Sequence, residues 1–247
     1  MAAYGTPDVA IAGLLYGSNN EFESSIAQED IAFGAPVFGF VGVENKCYGY
    51  HKDKATLTLA GDLVTSNVIT TVIQGISVAS TFATDHATTM TAHIAALNAK
   101  AELIALGISA APGSTNRIIV ISAPALTDLV VTSVVTLGAG QVAIAIVYGT
   151  NGKFLGVAVF VQKGGVTYGA GTSGWKSLDS VSILNEGTIW VLAEATVADK
   201  DPAYAVTGGA GTVGKYTDVA TSNYDIGTYF RGNVTGGLAL LEVRGLK

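Results

Sequence analysis

The feature that most constrains this chain is the repetition of strand-length runs of Val, Ile and Thr between glycine-containing turns. These three residue types number 70 of 247. A branched Cβ packs well on a pleated surface and loses rotamer freedom in a helix. Between Ala55 and Ala60, Thr56 and Thr58 alternate with Leu57 and Leu59, the period of two of a half-buried strand. Val68 to Ile73 and Ile76 to Thr81 predict two further strands joined through Gln74-Gly75. One segment breaks the rhythm. Thr84 and Asp85 offer an N-cap, Met90, Ile94, Leu97, Ala101 and Ile104 recur at helical spacing, and Gly107 is a stop. Strands resume at Arg117 to Ser122, Leu129 to Val135 and Val142 to Val147.

Charge distribution divides the chain into three. Residues 1–52 carry six acids against two bases. There Val9 to Ala12 and Ile31 to Val41 read as strands, with Gly17-Ser18-Asn19-Asn20 as a loop between them. Residues 53–147 are rich in Ala, Thr, Ser and Val, and their strands with one helix make a compact α+β unit. Residues 148–247 return to short strands: Leu155 to Val161, Val181 to Leu184, Thr188 to Ala193, Ala203 to Val206, Tyr224 to Phe230 and Leu238 to Val243. Asn151-Gly152, Gly164-Gly165 and Gly208-Gly209 punctuate them, the rhythm of a sandwich or barrel. The fold class expected is mainly β.

Composition excludes several functions. Charged residues are 13% of the chain and the net charge is −6. No Lys/Arg run exists to displace counterions from phosphates, which argues against a nucleic-acid partner. No stretch approaches the ~20 apolar residues of a spanning helix, so no membrane partner is expected. Met1-Ala2-Ala3-Tyr4-Gly5 does not open like a secretory leader, and a single cysteine, Cys47, suits a reducing cytoplasm.

Residues able to carry chemistry lack the company it needs. Cys47 has Lys46 and His51 nearby but no further activating group, so it reads as structural. His86 and His93 stand two helical turns apart, about 10 Å along the axis, and cannot share a metal with bonds of about 2 Å. They read as exposed or partly buried helix histidines. Gly169-x-Gly171-x-x-Gly174 and Gly209-x-Gly211-x-x-Gly214 match a dinucleotide fingerprint by letter, but no apolar helix follows either. Glu21/Glu23, Glu29/Asp30 and Asp199/Asp201 read as solvated acids. Asn233-Val234-Thr235 would be a glycosylation sequon only in a secreted chain. No catalytic, cofactor-binding or metal-binding residues are therefore assigned. Sparse charge suits broad subunit contact, which places much of residues 1–52 and 148–247 against protein.

Several segments resemble the tailed-phage capsid cement, or decoration, proteins. Asp8-Val9-Ala10-Ile11-Ala12-Gly13-Leu14 and Ile31-Ala32-Phe33-Gly34-Ala35-Pro36-Val37 are similar to the opening of that family. Gly156-Val157-Ala158-Val159, Ile183 to Val191 and Asp201-Pro202-Ala203-Tyr204 resemble its final strands. Residues 55–97, including Thr81 to Thr89, resemble a small α+β module of phage virion proteins. The resemblance implies a β-barrel or jelly-roll-like base from residues 1–52 and 148–247, with residues 53–147 as an inserted, outward-projecting α+β module. It implies a non-enzymatic virion protein, made in the host cytoplasm and docked on the outer capsid surface. Its partners would be the major capsid protein and further copies of itself, as a dimer or trimer. Ala2 to Asn20 is then either a reaching arm or a first strand with a frayed end. A tail-tube or tail-associated protein shares the composition. A glycan-binding module using Trp175, Trp190 and Tyr168 is a third reading.

Overall fold

A computed structural model of the chain describes residues 12–136, 142–160, 174–206, 211–221 and 223–244. Two compact units emerge, one from Met1–Tyr50 with Gly152–Lys247 and one from His51–Asn151. The protein is mainly β-sheet with a small helical insertion.

The first unit opens with β1 (Leu15–Ala27), β2 (Ile31–Ala32), β3 (Pro36–Gly39) and β4 (Lys46–Tyr48). Gly17 to Asn20, expected as a loop, lie inside β1. There β1 shifts register against its neighbour between Tyr16 and Glu21, so turn-like residues are carried as an irregularity of a paired strand. Residues 9–11 of the expected first strand, and Ala2 to Ile11 of the arm, fall outside the described residues.

The second unit contains β5 (Lys54–Leu59), β6 (Val68–Ile73), β7 (Ile76–Thr81), α1 (His86–Ala99), α2 (Ala101–Ala105), β8 (Ser109–Pro112), β9 (Ile118–Ser122), β10 (Val131–Thr136) and β11 (Ile144–Gly149). The β6–β7 hairpin has the boundaries its alternation predicts, and β10 joins it to make a three-stranded sheet. A four-stranded sheet runs β11-β5-β9-β8. Tyr148 ties β11 to β10: its hydroxyl donates to the Val131 carbonyl and accepts from the Val131 N–H, both at 3.0 Å. Leu57, Leu59, Ile69, Ile73, Met90, Leu97, Ile119 and Ile121 form the core.

The single expected helix is two. Lys100 is extended (φ −72°, ψ 112°), which ends α1 and restarts α2 in a different phase. Leu103 is consequently buried and Ile104, expected on the apolar face, is exposed. Asp85 caps α1 by accepting the Thr88 N–H at 2.7 Å. Replacing Asp85 with alanine is expected to lower the stability of this unit by about 1 kcal/mol. Chemical denaturation followed by the helical circular-dichroism signal measures it; an unchanged midpoint would refute the cap's role.

The two ends of this unit meet. Asp53 is fully buried, accepts the Asn151 N–H at 2.6 Å, and receives the Asn151 side-chain amide on its own carbonyl at 3.2 Å. Burial raises the Asp53 carboxyl pKa above the usual range, against the pull of these hydrogen bonds.

The first unit resumes with β12 (Lys153–Ala158), β13 (Gly174–Trp175), β14 (Ser180–Val197), β15 (Pro202–Ala205), β16 (Tyr216–Thr217), β17 (Tyr224–Arg231) and β18 (Val234–Val243). Nine strands form one sheet in the order β1-β4-β3-β12-β14-β16-β15-β17-β18, and β14 pairs additionally with β1 and β18. The small β13–β2 ladder stands apart. β14 is the organising strand. Its first half takes β1 and β12, its second half β18 and β16. Val181 to Leu184 and Thr188 to Ala193, expected as separate strands, are parts of it. Asn185-Glu186-Gly187 looks like a turn, yet Gly187 continues the strand at φ +136°. A Cβ there would collide with the Asn20 side chain, whose Oδ1 accepts the Thr188 N–H at 3.2 Å.

Candidate docking surface

Most residues considered for chemistry have a structural occupation or lie outside the described residues. Cys47 is fully buried, and desolvation pushes its thiol up to about 12, so no thiolate forms near neutral pH. His86 and His93, expected to be exposed or partly buried, are both buried because α1 turns them onto the sheets. His86 Nδ1 accepts the Leu63 N–H at 2.9 Å, and its Nε2 lies 3.0 Å from the Asn116 carbonyl, to which it donates. His93 lies 2.9 Å from both Thr71 Oγ1 and Ser80 Oγ, and burial lowers its pKa to about 4. His51 Nδ1 is 3.4 Å from Asp128.

The acids behave similarly. Glu29 accepts the Gly49 N–H and Asp30 the Ser177 N–H, with Lys176 holding the Asp30 carboxyl below its usual range. Asp199 and Asp201 accept the Gly232 and Ala198 N–H groups, so they build a turn and leave no cation cage. Asn233 Oδ1 accepts the Asp199 N–H in the same turn. Gly174 begins β13, while Gly169, Gly171 and Gly209 lie outside the described residues. Among the described residues no group of three metal-ligating side chains occurs. No helix of the described residues is long and apolar enough to cross a membrane.

Trp175 is buried and donates its indole N–H to the Val159 carbonyl at 3.1 Å, so it offers no stacking face to a sugar. Tyr168 lies outside the described residues. Trp190 differs. It is only half-buried, because it belongs to the outer set of β14 side chains.

Period-two alternation explains why. Ile189, Val191, Ala193, Ala239, Leu241 and Val243 turn inward and are at most 3% exposed. Their neighbours Trp190, Leu192, Leu238 and Leu240 share the opposite face, with Trp190 opposite Leu240 and Leu192 opposite Leu238. A strand with one wet face should place polar residues there. Instead Ile189 to Ala193 and Leu238 to Leu241 are continuous apolar runs, the pattern of strands covered on both sides. Leu192 remains 40% exposed, and Tyr16 and Tyr229 flank the strip at 59% and 38%.

Charge borders this strip unequally. On the β17–β18 side, Arg231 and Arg244 both reach Glu242 through Nε, Arg244 lies over the Tyr229 ring at 4.9 Å, and Lys200 completes a hollow of about 260 Å³. Two guanidinium groups carry more donors than one carboxylate can accept, so the hollow remains cationic. The pairing depresses the Glu242 pKa, chiefly through Arg231. On the β1 side exposed Glu21 sits opposite exposed Glu186, one position beyond the Gly187–Val243 pair that leads to Arg244, while Glu23 lines a separate hollow with Lys46 and Lys153. Sequence reasoning identified these strands but did not weigh their two faces separately; the signal was the unbroken apolar run.

A family model described as structural cement protein (E217 gp24/Pam3 gp6), a phage family, matches residues 104–244. The chain belongs to this phage structural cement family. The family is structural and non-catalytic. The matched region runs from α2 through β18 and so contains β14, β17 and β18. No curated protein matches the chain.

Proposed function

We propose that this chain cements a phage head: it binds the outer surface of the assembled capsid, contacts the major capsid protein, and bridges neighbouring capsomers. Family membership over residues 104–244 carries this reading. The low charge and the apolar outer face of β14 and β18 support it, since they suit wide protein contact. A protein that binds the completed lattice and not its free subunits stabilises that lattice by mass action, and several weak contacts per molecule multiply. No reaction is required.

Because β14 pairs again with β1 at one half and β18 at the other, we read the base as two small barrels sharing one long strand. Such closure leaves few free edges, which suits a protein crowded on a lattice. Residues 1–52 and 148–247 are the docking base in this reading, residues 53–147 a separate display module, and the working form a dimer or trimer made in the host cytoplasm.

The test is reconstitution. Purified protein added to expanded heads lacking it should appear by cryo-electron microscopy as ordered density on the shell, and should raise the temperature at which heads release DNA. Density confined to the tail would transfer the protein to the tail structure, and no bound density would end the cement reading.

A further inference from the structure

We propose that the free edge of β7 takes up an extended, uncharged segment of a partner protein as a fourth strand of the β10-β6-β7 sheet. This goes beyond the cement reading and does not rest on it.

Register decides which backbone groups of β7 are free. Gln74 and Gly75 close the β6–β7 hairpin at φ +52° and +80°, a two-residue turn that makes Ile73–Ile76 a hydrogen-bonded pair. Bonded and non-bonded pairs alternate along an antiparallel ladder, so Ile76, Val78 and Ser80 bond to β6. Phe82 continues that series, with its N–H on the Asn67 carbonyl at 2.8 Å. Ser77, Ala79 and Thr81 therefore turn their N–H and C=O groups away from β6. β7 is the last strand on that side of the sheet, and all three residues are exposed. α1 meets β7 from the core side, where His93 Nδ1 lies 2.9 Å from Ser80 Oγ.

Other edges of this unit are closed by side chains. In β8 the Gly113 N–H bonds to the Ile118 carbonyl, which leaves Ala110 and Pro112 facing outward. Asn98 takes both groups of Ala110: its Oδ1 accepts the N–H and its Nδ2 donates to the carbonyl, each at 2.7 Å. Pro112 has no N–H to offer. In β10 the Tyr148 hydroxyl takes the N–H and the carbonyl of Val131. Among the described residues no side chain does this for Ser77, Ala79 or Thr81.

Nor is the β7 edge guarded in other ways. Edge strands commonly carry lysine, proline or a bulge that turns a second strand away. No charged residue and no proline occurs from Leu63 to Thr84, and the β6–β7 register is continuous. The outward residues are small, so another backbone can approach to the usual strand spacing of about 4.8 Å. A row of alternating donors and acceptors at this repeat is matched by an extended chain, and the missing charge selects a segment without charge.

Nuclear magnetic resonance of the full chain tests this. The probe is a synthetic peptide of the sequence Val131–Thr136, which already pairs with the far side of β6, blocked at both ends. Its control is the same peptide methylated on every backbone nitrogen. In the free chain the Ala79 amide should exchange with solvent roughly a hundredfold or more faster than those of Val78 and Ser80. The plain peptide should shift the signals of Ser77, Ala79 and Thr81 and slow exchange at Ala79. The methylated peptide, which cannot complete a ladder, should do neither. Ala79→Lys, at an exposed position, should weaken binding roughly tenfold or more and leave the thermal midpoint unchanged. An Ala79 amide already protected in the free chain would mean a closed edge and overturn the inference. A plain peptide without effect at millimolar concentration, shifts confined to other strands, or equal binding by the methylated peptide or the lysine variant would overturn it too. None of these readouts involves phage heads, so the cement reading stands or falls separately.

Discussion

Gly156→Val is expected to unfold the nine-stranded unit. Gly156 lies in β12 at φ +148°, where β12 shifts register against β3 and runs beside β14. A Cβ there would run into the Leu184 carbonyl oxygen and the Ile183 side chain, both belonging to the strand that organises the sheet. Backbone in this region costs a non-glycine residue about 1–3 kcal/mol. Forcing atoms into a filled interior adds about 1–3 kcal/mol more. Together these come to about 2–6 kcal/mol, which reaches the lower end of an ordinary domain's stability of about 5–15 kcal/mol. Gly156→Ala should lose about 3 kcal/mol and remain measurable. Both tryptophans of the chain, Trp175 and Trp190, belong to this unit, so their fluorescence during chemical denaturation reports it selectively. An alanine variant with the wild-type midpoint would show that β12 and β14 can part without cost.

Acidification is expected to weaken the other unit, through His93. The ring sits at zero exposure between Thr71 and Ser80, and burial lowers its pKa from 6.5 to about 4. The unfolded chain therefore takes up a proton below about pH 6.5, while the folded unit refuses one until about pH 4. In that window the unfolded state binds more protons, so stability falls as pH falls, by up to about 3 kcal/mol across the full interval. Between pH 6.5 and 5 the histidine effect is developing steeply. Asp53 acts oppositely at lower pH: its raised pKa lets the folded state hold a proton more tightly. Denaturation of wild type and His93→Gln, followed by the helical circular-dichroism signal, should give a slope with pH in wild type and a flatter line in the variant. Equal slopes would show that the ring is protonated without cost.

How far the sequence was legible depends on whether a segment's pattern was set by neighbours in the chain or by distant strands. The β6–β7 hairpin was readable to the residue, because its alternation and its Gln74-Gly75 turn are local. β14 was not. Asn185-Glu186-Gly187 has turn composition, and only pairing with β1 on one side and β18 on the other carries it through as strand. Gly17 to Asn20 misled for the same reason. The break at Lys100 left no sharp signature, since lysine is a good helix former and the apolar spacing runs on past it. Trp190 shows the limit for the docking face. A tryptophan in an apolar run reads as core, and only the register opposite Leu240 places it on the outer side.

The clasp between Asp53 and Asn151 has a bearing on how such proteins diversify. Where a polypeptide leaves and re-enters at hydrogen-bond distance, the intervening hundred or so residues form a cassette whose removal asks little of the remaining backbone, because closing a short gap is entropically cheap. Any domain with adjoining termini can be spliced at that point, so recombination can exchange such a cassette while the strands of the other unit are inherited unchanged.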